Sequence, residues 1–332
     1  GTSCIITGLT NGTTYYVWVK AKNSAGTSDF SPVASGTPLG TPGTPTITAG
    51  NAQLTASWAA VTGATSYQVW YGTQNISASA SQFGGDITSG TSCIITGLTN
   101  GITYYVWVKA KNTSGASGFS PVASGKPRWT IQLGTSGNEH CRGVAVDSSG
   151  NVYSTGYTDG GLDGNVNAGG DDMFLVKYDA SGVKQWTRQL GTSADDRSFG
   201  VAVDANGNIY ATGYTYGGLD GNGNAGDCDM FLVKYGSTGV KQWTRQLGNS
   251  STNLGTGVAI GVNDDVYVTG WTYGELDGNT SAGAIDLFLV KYSSAGTKQW
   301  TRQLGTSNVD HGMGVAVDRG NGAVYVIGST WG

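Results

Sequence analysis

Three copies of one loop hold the residue types best suited to binding a metal. Leu162 to Asp172 contains Asp163, Asn165, Asn167 and Asp172. Leu219 to Asp229 contains Asp220, Asn222, Asn224 and Asp229, and Leu276 to Asp286 contains Asp277, Asn279 and Asp286. Side-chain oxygens at alternate positions, followed by a further Asp, can converge on Ca2+, a hard cation that takes about six to eight oxygen ligands. The match to an EF-hand loop is imperfect: the glycine comes one place late and no bidentate Glu closes the loop. The same residues suit a second role. Asp and Asn brace long loops by bonding to nearby backbone, and Gly supplies positive φ. Turn-forming Asp and Asn are far commoner than metal ligands, which weights the reading towards turns and leaves Ca2+ as the one cofactor to test.

A second group stands between repeated units: Glu139, His140, Asp195, Asp196, Asp310 and His311. His140 and His311 occupy the same phase of the repeat, with Arg197 and Leu254 in the intervening copies. These residues are expected in loops on one face, where they either bind a partner or are ordinary solvated loop residues. Paired carboxylates for acid–base work would have to meet near an axis. An Asp recurring in copy after copy argues for structure, because an active site seldom needs equal copies. No GxSxG, HExxH or phosphate-cradling glycine loop occurs, so no catalytic residue is assigned and this region is expected not to be an enzyme. Trp70, Tyr71 and Trp107 can form a sugar-binding strip, or belong to a core.

The elements that must position these residues follow from repetition. Lys184-Gln185-Trp186-Thr187-Arg188-Gln189-Leu190-Gly191 returns at Lys241 and at Lys298, and Trp129, Trp186, Trp243 and Trp300 are spaced by 57 residues. A period of that length is one supersecondary unit copied several times. Each unit offers four β-like runs: Gly143–Asp147, Asn151–Tyr157, Met173–Tyr178 and the Trp186 stretch. Four antiparallel strands per repeat describe a propeller blade. The small Gly143-Val144-Ala145 suits an innermost strand. Phe174-Leu175-Val176 suits a strand covered on both faces, and the charged Trp186 stretch an outer edge. A different repeat, of 89 residues, precedes these units: residues 1–38 and 90–127 differ at six positions.

Composition agrees with an all-β chain. Of 332 residues 56 are Gly, aromatics make up 10% and charged residues only 12%. A formal charge of −4 without runs of either sign makes nucleic acid and anionic membranes poor partners. No apolar stretch approaches the ~20 residues of a membrane span. The four cysteines (Cys4, Cys93, Cys141, Cys228) suggest neither a disulfide framework nor a CxxC metal site.

Residues 39–127 resemble a fibronectin type III domain, through Pro45, Trp58, Tyr67, Leu98-Thr99-Asn100-Gly101-Ile102-Thr103-Tyr104, Ala110-Lys111-Asn112 and Ser120-Pro121-Val122. The resemblance implies an immunoglobulin-like sandwich with Tyr104 as its tyrosine-corner residue, and residues 1–38 as the C-terminal part of another such domain. From residue 128 to 332 the units resemble the bacterial seven-bladed propeller repeats called SBBP. The carriers are Gly143-Val144-Ala145-Val146-Asp147-Ser148-Ser149-Gly150-Asn151-Val152-Tyr153, Thr155-Gly156-Tyr157 and Asp172-Met173-Phe174-Leu175-Val176-Lys177-Tyr178. Gly261, Asn263-Asp264-Asp265 and an added Ala323 depart from that pattern. About 3.6 units of 57 residues fit into this span, so an incomplete ring is expected in a piece of a longer protein.

The fold expected is therefore a partial and a complete sandwich followed by a partial propeller of four-stranded blades. The resemblances imply an exported bacterial surface or secreted protein. Its sandwiches would space a propeller that binds a protein or a glycan. The alternative is a set of accessory modules of an extracellular enzyme, such as a polysaccharide-degrading one, whose catalytic domain lies elsewhere.

Overall fold

The computed structural model describes residues 2–331, and its regular elements are strands and single-turn 3-10 helices. Among these residues no helix is long and apolar enough to cross a membrane. The chain divides into two compact units, Gly1–Thr130 and Ile131–Gly332.

In the first unit two sheets close on one core. Thr46–Gly50, Gln53–Ser57 and Ser92–Thr96 form the smaller sheet. Ser81–Ile87, Ser66–Gly72 and Tyr104–Asn112 form the larger, with Gly115–Ala116 and Ala123–Gly125 added to its longest strand. Alternation aims Leu54, Ala56 and Ile95 of one sheet at Tyr67, Val69, Val106, Val108 and Ala110 of the other. Tyr104 Oη accepts from the Thr99 amide at 3.1 Å, and Tyr15 Oη repeats the bond with Thr10 at 3.0 Å. The aromatic strip divides: Tyr71 packs against the core, while Trp70 and Trp107 pair across strands on the opposite face. In residues 2–38 the copies of core and platform residues lack that cover, and Ile5, Ile6, Tyr16, Trp18 and Val19 are exposed.

Among the described residues the second unit contains three four-stranded antiparallel sheets, each with its strands in chain order, and a two-stranded one. The first blade is Glu139–Val146, Val152–Thr158, Asp172–Tyr178 and Lys184–Leu190. The second is Asp196–Val203, Ile209–Thr215, Asp229–Tyr235 and Lys241–Leu247. The third is Asn253–Ile260, Val266–Tyr273, Ile285–Tyr292 and Lys298–Leu304, and the last sheet is Asp310–Val317 with Val324–Thr330. First strands of successive blades meet through glycine. A Cβ on Gly200 would lie 3.2 Å from the Gly257 Cα, and one on Gly257 3.1 Å from the Gly314 Cα. The third strand is apolar on both faces because it serves two cores. Met230 and Leu232 join the cluster shared with the third blade, while Phe231, Val233 and Tyr235 join the cluster shared with the first.

The recurrent tryptophan stretch is more than an outer edge. Arg188 Nε donates to the Gly239 carbonyl of the next blade at 2.7 Å, and the Trp186 ring lies against Gly239 so closely that a Cβ there would be 2.8 Å away. Arg245, Trp243 and Gly296 repeat the clasp one blade on. Each Arg also lies over its own Trp ring. The opening copy differs: Arg128 to Gly134 contains no strand, since no third strand precedes it to pair with.

Candidate functional site

The calcium-type loop folds back along the flank of its own blade. Leu162, Leu219 and Leu276 are fully buried anchors. Each of their amides donates to a glutamine of the outer strand, Leu162 to Gln189 Oε1 at 3.0 Å. The next residue, Asp163, Asp220 or Asp277, is held at positive φ (52°, 55°, 55°). Its carboxylate pairs with Lys184, Lys241 or Lys298 and accepts from Thr187, Thr244 or Thr301. Burial opposes the charge of Asp163, but Lys184 and Thr187 outweigh it and hold the carboxyl below its ordinary range. Asn165, Asn222 and Asn279 donate to the carbonyls of Leu162, Leu219 and Leu276. Asn167 bonds the Gly169 amide and the Gly170 carbonyl, and Asn224 bonds Gly226, Tyr216 and Asp227. Asp172, Asp229 and Asp286 accept through Oδ2 from the Ala168, Ala225 and Ala282 amides and from Gln189, Gln246 and Gln303. Among the described residues no group of three or more His, Cys, Asp or Glu is placed to hold a metal ion. Apart from the Oδ1 atoms of Asp172, Asp229 and Asp286, these oxygens have local partners, and thermal melting of the chain is expected to give the same midpoint with added Ca2+ and with chelator. A rise in midpoint on adding Ca2+ would favour the metal reading over the turn reading.

The second group is placed differently from its expectation. Glu139, His140, Asp196, Asp310 and His311 lie inside first strands, and Asp195 alone stays in a connecting loop. The strands begin early because each contains a β-bulge, between Cys141 and Gly143, Ser198 and Gly200, Gly255 and Gly257, and Gly312 and Gly314. Asp196 and Asp310 are buried between blades, not solvated. His140 and His311 lie against aromatic rings, 4.8 Å from Tyr157 and 5.2 Å from Trp271 between ring centroids.

Around these histidines the bulges gather residues that reading for repeated motifs passes over. The bulged position carries Arg142, Phe199, Thr256 and Met313, a different residue in each copy. A bulge re-aims the side chain it carries, and bulges occur beside functional sites. Phe199 stacks on Tyr214 at 5.7 Å and lies 6.4 Å from Tyr157. Arg142 Nη2 donates to Tyr157 Oη at 2.8 Å, and Arg197 lies over the Tyr157 ring at 4.9 Å. Tyr214 meets Tyr216 edge-on at 5.6 Å, and Trp271 meets Tyr273 in the same way at 5.8 Å. Tyr216 and Tyr273 are the exposed members of these pairs. The crown therefore has an inner aromatic layer locked between blades and an outer layer open to solvent. Variation at a 57-residue phase, in copies otherwise nearly alike, is the signal that finds it.

Its charges are largely paired. Arg197 is bound by Asp171 at 2.6 Å and Asp195 at 2.9 Å. Burial disfavours the Arg197 charge, but Tyr214, Asp171 and Asp195 outweigh it and hold its pKa up. Burial pushes the Tyr214 phenol up to about 12, so it stays a neutral hydrogen-bonding group. Asp159 is held down chiefly by the Asn138 amide, and stays ionised on the rim. The arrangement offers aromatic edges and faces, neutral hydroxyls and balanced charge.

Four SBBP beta-propeller repeats match by family model, at residues 128–163, 185–220, 242–277 and 299–332. Among curated proteins, Regulatory protein FlaEY of Caulobacter vibrioides is 27% identical over 209 residues, spanning 57% of this chain and 22% of that protein. An uncharacterized WD repeat-containing protein, L264, of Acanthamoeba polyphaga mimivirus is 27% identical over 170 residues, spanning 42% of this chain and 12% of that protein. The chain thus spans less than a quarter of the length of either relative. Among solved structures, an Fn3-like protein from Clostridium thermocellum is 23% identical with a TM-score of 0.24, covering 28% of this chain and 96% of that one. Rhamnogalacturonan lyase PL11 of Bacillus licheniformis is 16% identical with a TM-score of 0.38, covering 87% of this chain and 58% of the lyase.

Proposed function

We propose that this chain is a non-catalytic modular region of an exported bacterial surface or secreted protein. Fibronectin type III-like sandwiches act as spacers, and the propeller binds a protein or glycan through the crown of Tyr157, Phe199, Tyr214, Tyr216, Trp271 and Tyr273. One observation carries this reading: blades nearly identical in their frame differ at the bulged residue and its neighbours. A scaffold needs those positions to be alike no more than it needs them to differ, so they are free to specify a ligand. Exposed Tyr side chains offer large contact area at low entropic cost and are enriched at binding hot spots.

The full chain should be tested on an immobilised array of bacterial and plant polysaccharides and against purified cell-surface proteins. For whichever ligand binds, the double substitution Tyr216→Ala and Tyr273→Ala is expected to weaken binding by about tenfold or more. The melting temperature should not move, since both side chains are exposed. Undiminished binding by the double variant would place the site elsewhere. Retention of the full-length product in the cytosol would count against export. A second reading, accessory modules of an extracellular enzyme, rests on the same crown and is separated by the complete reading frame: a glycosidase or protease domain in it decides for the enzyme.

A further inference from the structure

One guanidinium at the crown is held in place without a carboxylate. Arg142 stands at the bulged position of the first blade, where a bulge re-aims the side chain it carries. Its Nη2 donates to Tyr157 Oη at 2.8 Å. The group lies over two rings, 5.4 Å from the Tyr157 centroid and 5.9 Å from that of Phe199. Phe199 is itself stacked on Tyr214, so the surface under the guanidinium is built across two blades. Arg142 is nevertheless exposed. Among the described residues it makes that one hydrogen bond and no ion pair. Tyr157 takes one of its N–H donors, and the rest of the planar fork is open to solvent.

The other guanidinium on the same ring is compensated. Arg197 lies over Tyr157 at 4.9 Å and is bound by Asp171 and Asp195. The acids of the first blade's rim are engaged elsewhere: Glu139 accepts from Thr135 and Thr158, and Asp159 from the Asn138 amide and side chain. One phenol ring thus carries two like charges, of which one is neutralised, and an anion arriving at Arg142 relieves the imbalance. The equivalent positions hold Phe199, Thr256 and Met313, so the bulge itself does not require a cation. Held by two rings and a hydroxyl, Arg142 loses little freedom on meeting a planar anion, which its fork can grip at two points.

We propose that Arg142 receives a carboxylate of an acidic polysaccharide, a chain bearing uronic acids, whose neighbouring sugars follow the rings towards Tyr216. The proposal rests on the crown as the binding site and adds the chemistry of its ligand. A continuous run of aromatic contacts leads from Arg142 through Phe199 and Tyr214 to the exposed Tyr216. Sugar rings present C–H faces that pack on the negative faces of aromatic rings, and hydroxyls that bond to phenols. A uronic acid places one carboxylate on each sugar, so a single one can be seated at Arg142. A denser polyanion, such as nucleic acid or polyphosphate, would also meet Asp159, Asp171 and Asp195. An acidic peptide supplies the carboxylate but no succession of C–H faces and hydroxyls to follow the rings.

The test is binding of the full chain to alginate and to polygalacturonate, each beside its carboxyl-reduced, neutral counterpart, and to polyglutamate. The acidic polysaccharides should bind about tenfold or more tighter than the reduced ones, and less tightly as salt rises. Arg142→Gln removes the charge and should erase that preference while leaving binding of the reduced polymers unchanged. Arg142→Lys should keep the salt dependence and lose part of the preference, since an ammonium offers no fork. Equal binding of acidic and reduced polymers, or a preference that survives Arg142→Gln, overturns the proposal and leaves the crown as a site for a neutral ligand. Polyglutamate bound as tightly as alginate overturns it in favour of an acidic peptide. Failure of every polysaccharide to bind overturns it and leaves only a protein ligand for the crown. If the acidic polymers bind and Tyr216→Ala with Tyr273→Ala does not weaken them, the crown reading falls and this proposal with it. Should Arg142→Gln fail to fold, Arg142→Lys decides, and an undiminished preference there overturns the proposal.

Discussion

Gly213→Ala is expected to destabilise the second unit by more than about 3 kcal/mol and, under the binding role proposed for the crown, to abolish ligand binding there. Gly213 lies opposite Ser198, beside the bulge in the first strand of its blade. The bulge presses the Arg197 carbonyl onto Gly213, so a Cβ there would overlap that oxygen and crowd the Ser198 Cα at 2.7 Å. Neither neighbour can give way, since both are backbone in a paired strand. The strand has two ways out, to unpair or to lose the bulge, and losing it slips Phe199 out of its stack on Tyr214. The same overlap recurs at Gly156, Gly270 and Gly328 against the carbonyls of His140, Leu254 and His311, so the requirement belongs to the blade and not to one copy. Gly221 is the control. It has φ of 78° and open space around its Cβ position, so Gly221→Ala meets backbone strain alone, about 1 kcal/mol. Urea midpoints for the two variants check the stabilities, and binding assays check the crown. Equal midpoints would show that the bulge tolerates a side chain.

Repetition made the frame legible. A spacing of 57 residues placed all four strands of a blade to within a few residues, and it identified the doubly buried third strand from Phe174-Leu175-Val176 alone. Spacing could not assign partners, because the Arg188 clasp on Gly239 joins residues 51 apart in different blades. In the first unit Ser81–Ile87 escapes notice because Gly84 and Gly85 interrupt its pattern. The loop candidates illustrate another limit. Leu162, which opens the candidate loop, is a buried anchor that draws the loop down the blade's flank, where Asp163 meets Lys184 and Thr187. The crown is hidden for the opposite reason: a search for sameness discards Arg142, Phe199, Thr256 and Met313. The bulge brings Arg142 to Tyr157 and Phe199 to Tyr157 and Tyr214, and one extra backbone residue leaves no mark in composition.

Leu232→Ala and Leu289→Ala make the same change at the same point of two blades and are expected to differ widely. Leu232 is fully buried in the cluster formed with Phe288, Val290 and Tyr292 of the following blade's third strand. Its truncation removes apolar contact and leaves a cavity between two rigid sheets, at about 2–5 kcal/mol. Leu289 faces the last sheet, which among the described residues has two strands, and it is only partly buried. Water already reaches that side chain, so no closed cavity forms, and its truncation should cost less than half as much. Leu175, fully buried against the second blade, should behave like Leu232. Urea unfolding of the three variants, compared at equal slope, measures the differences. Equal losses for Leu232→Ala and Leu289→Ala would mean that each blade is held by its own strands. The expected inequality means that a blade's third strand is stabilised chiefly by its neighbour, as a structure of stacked repeats requires.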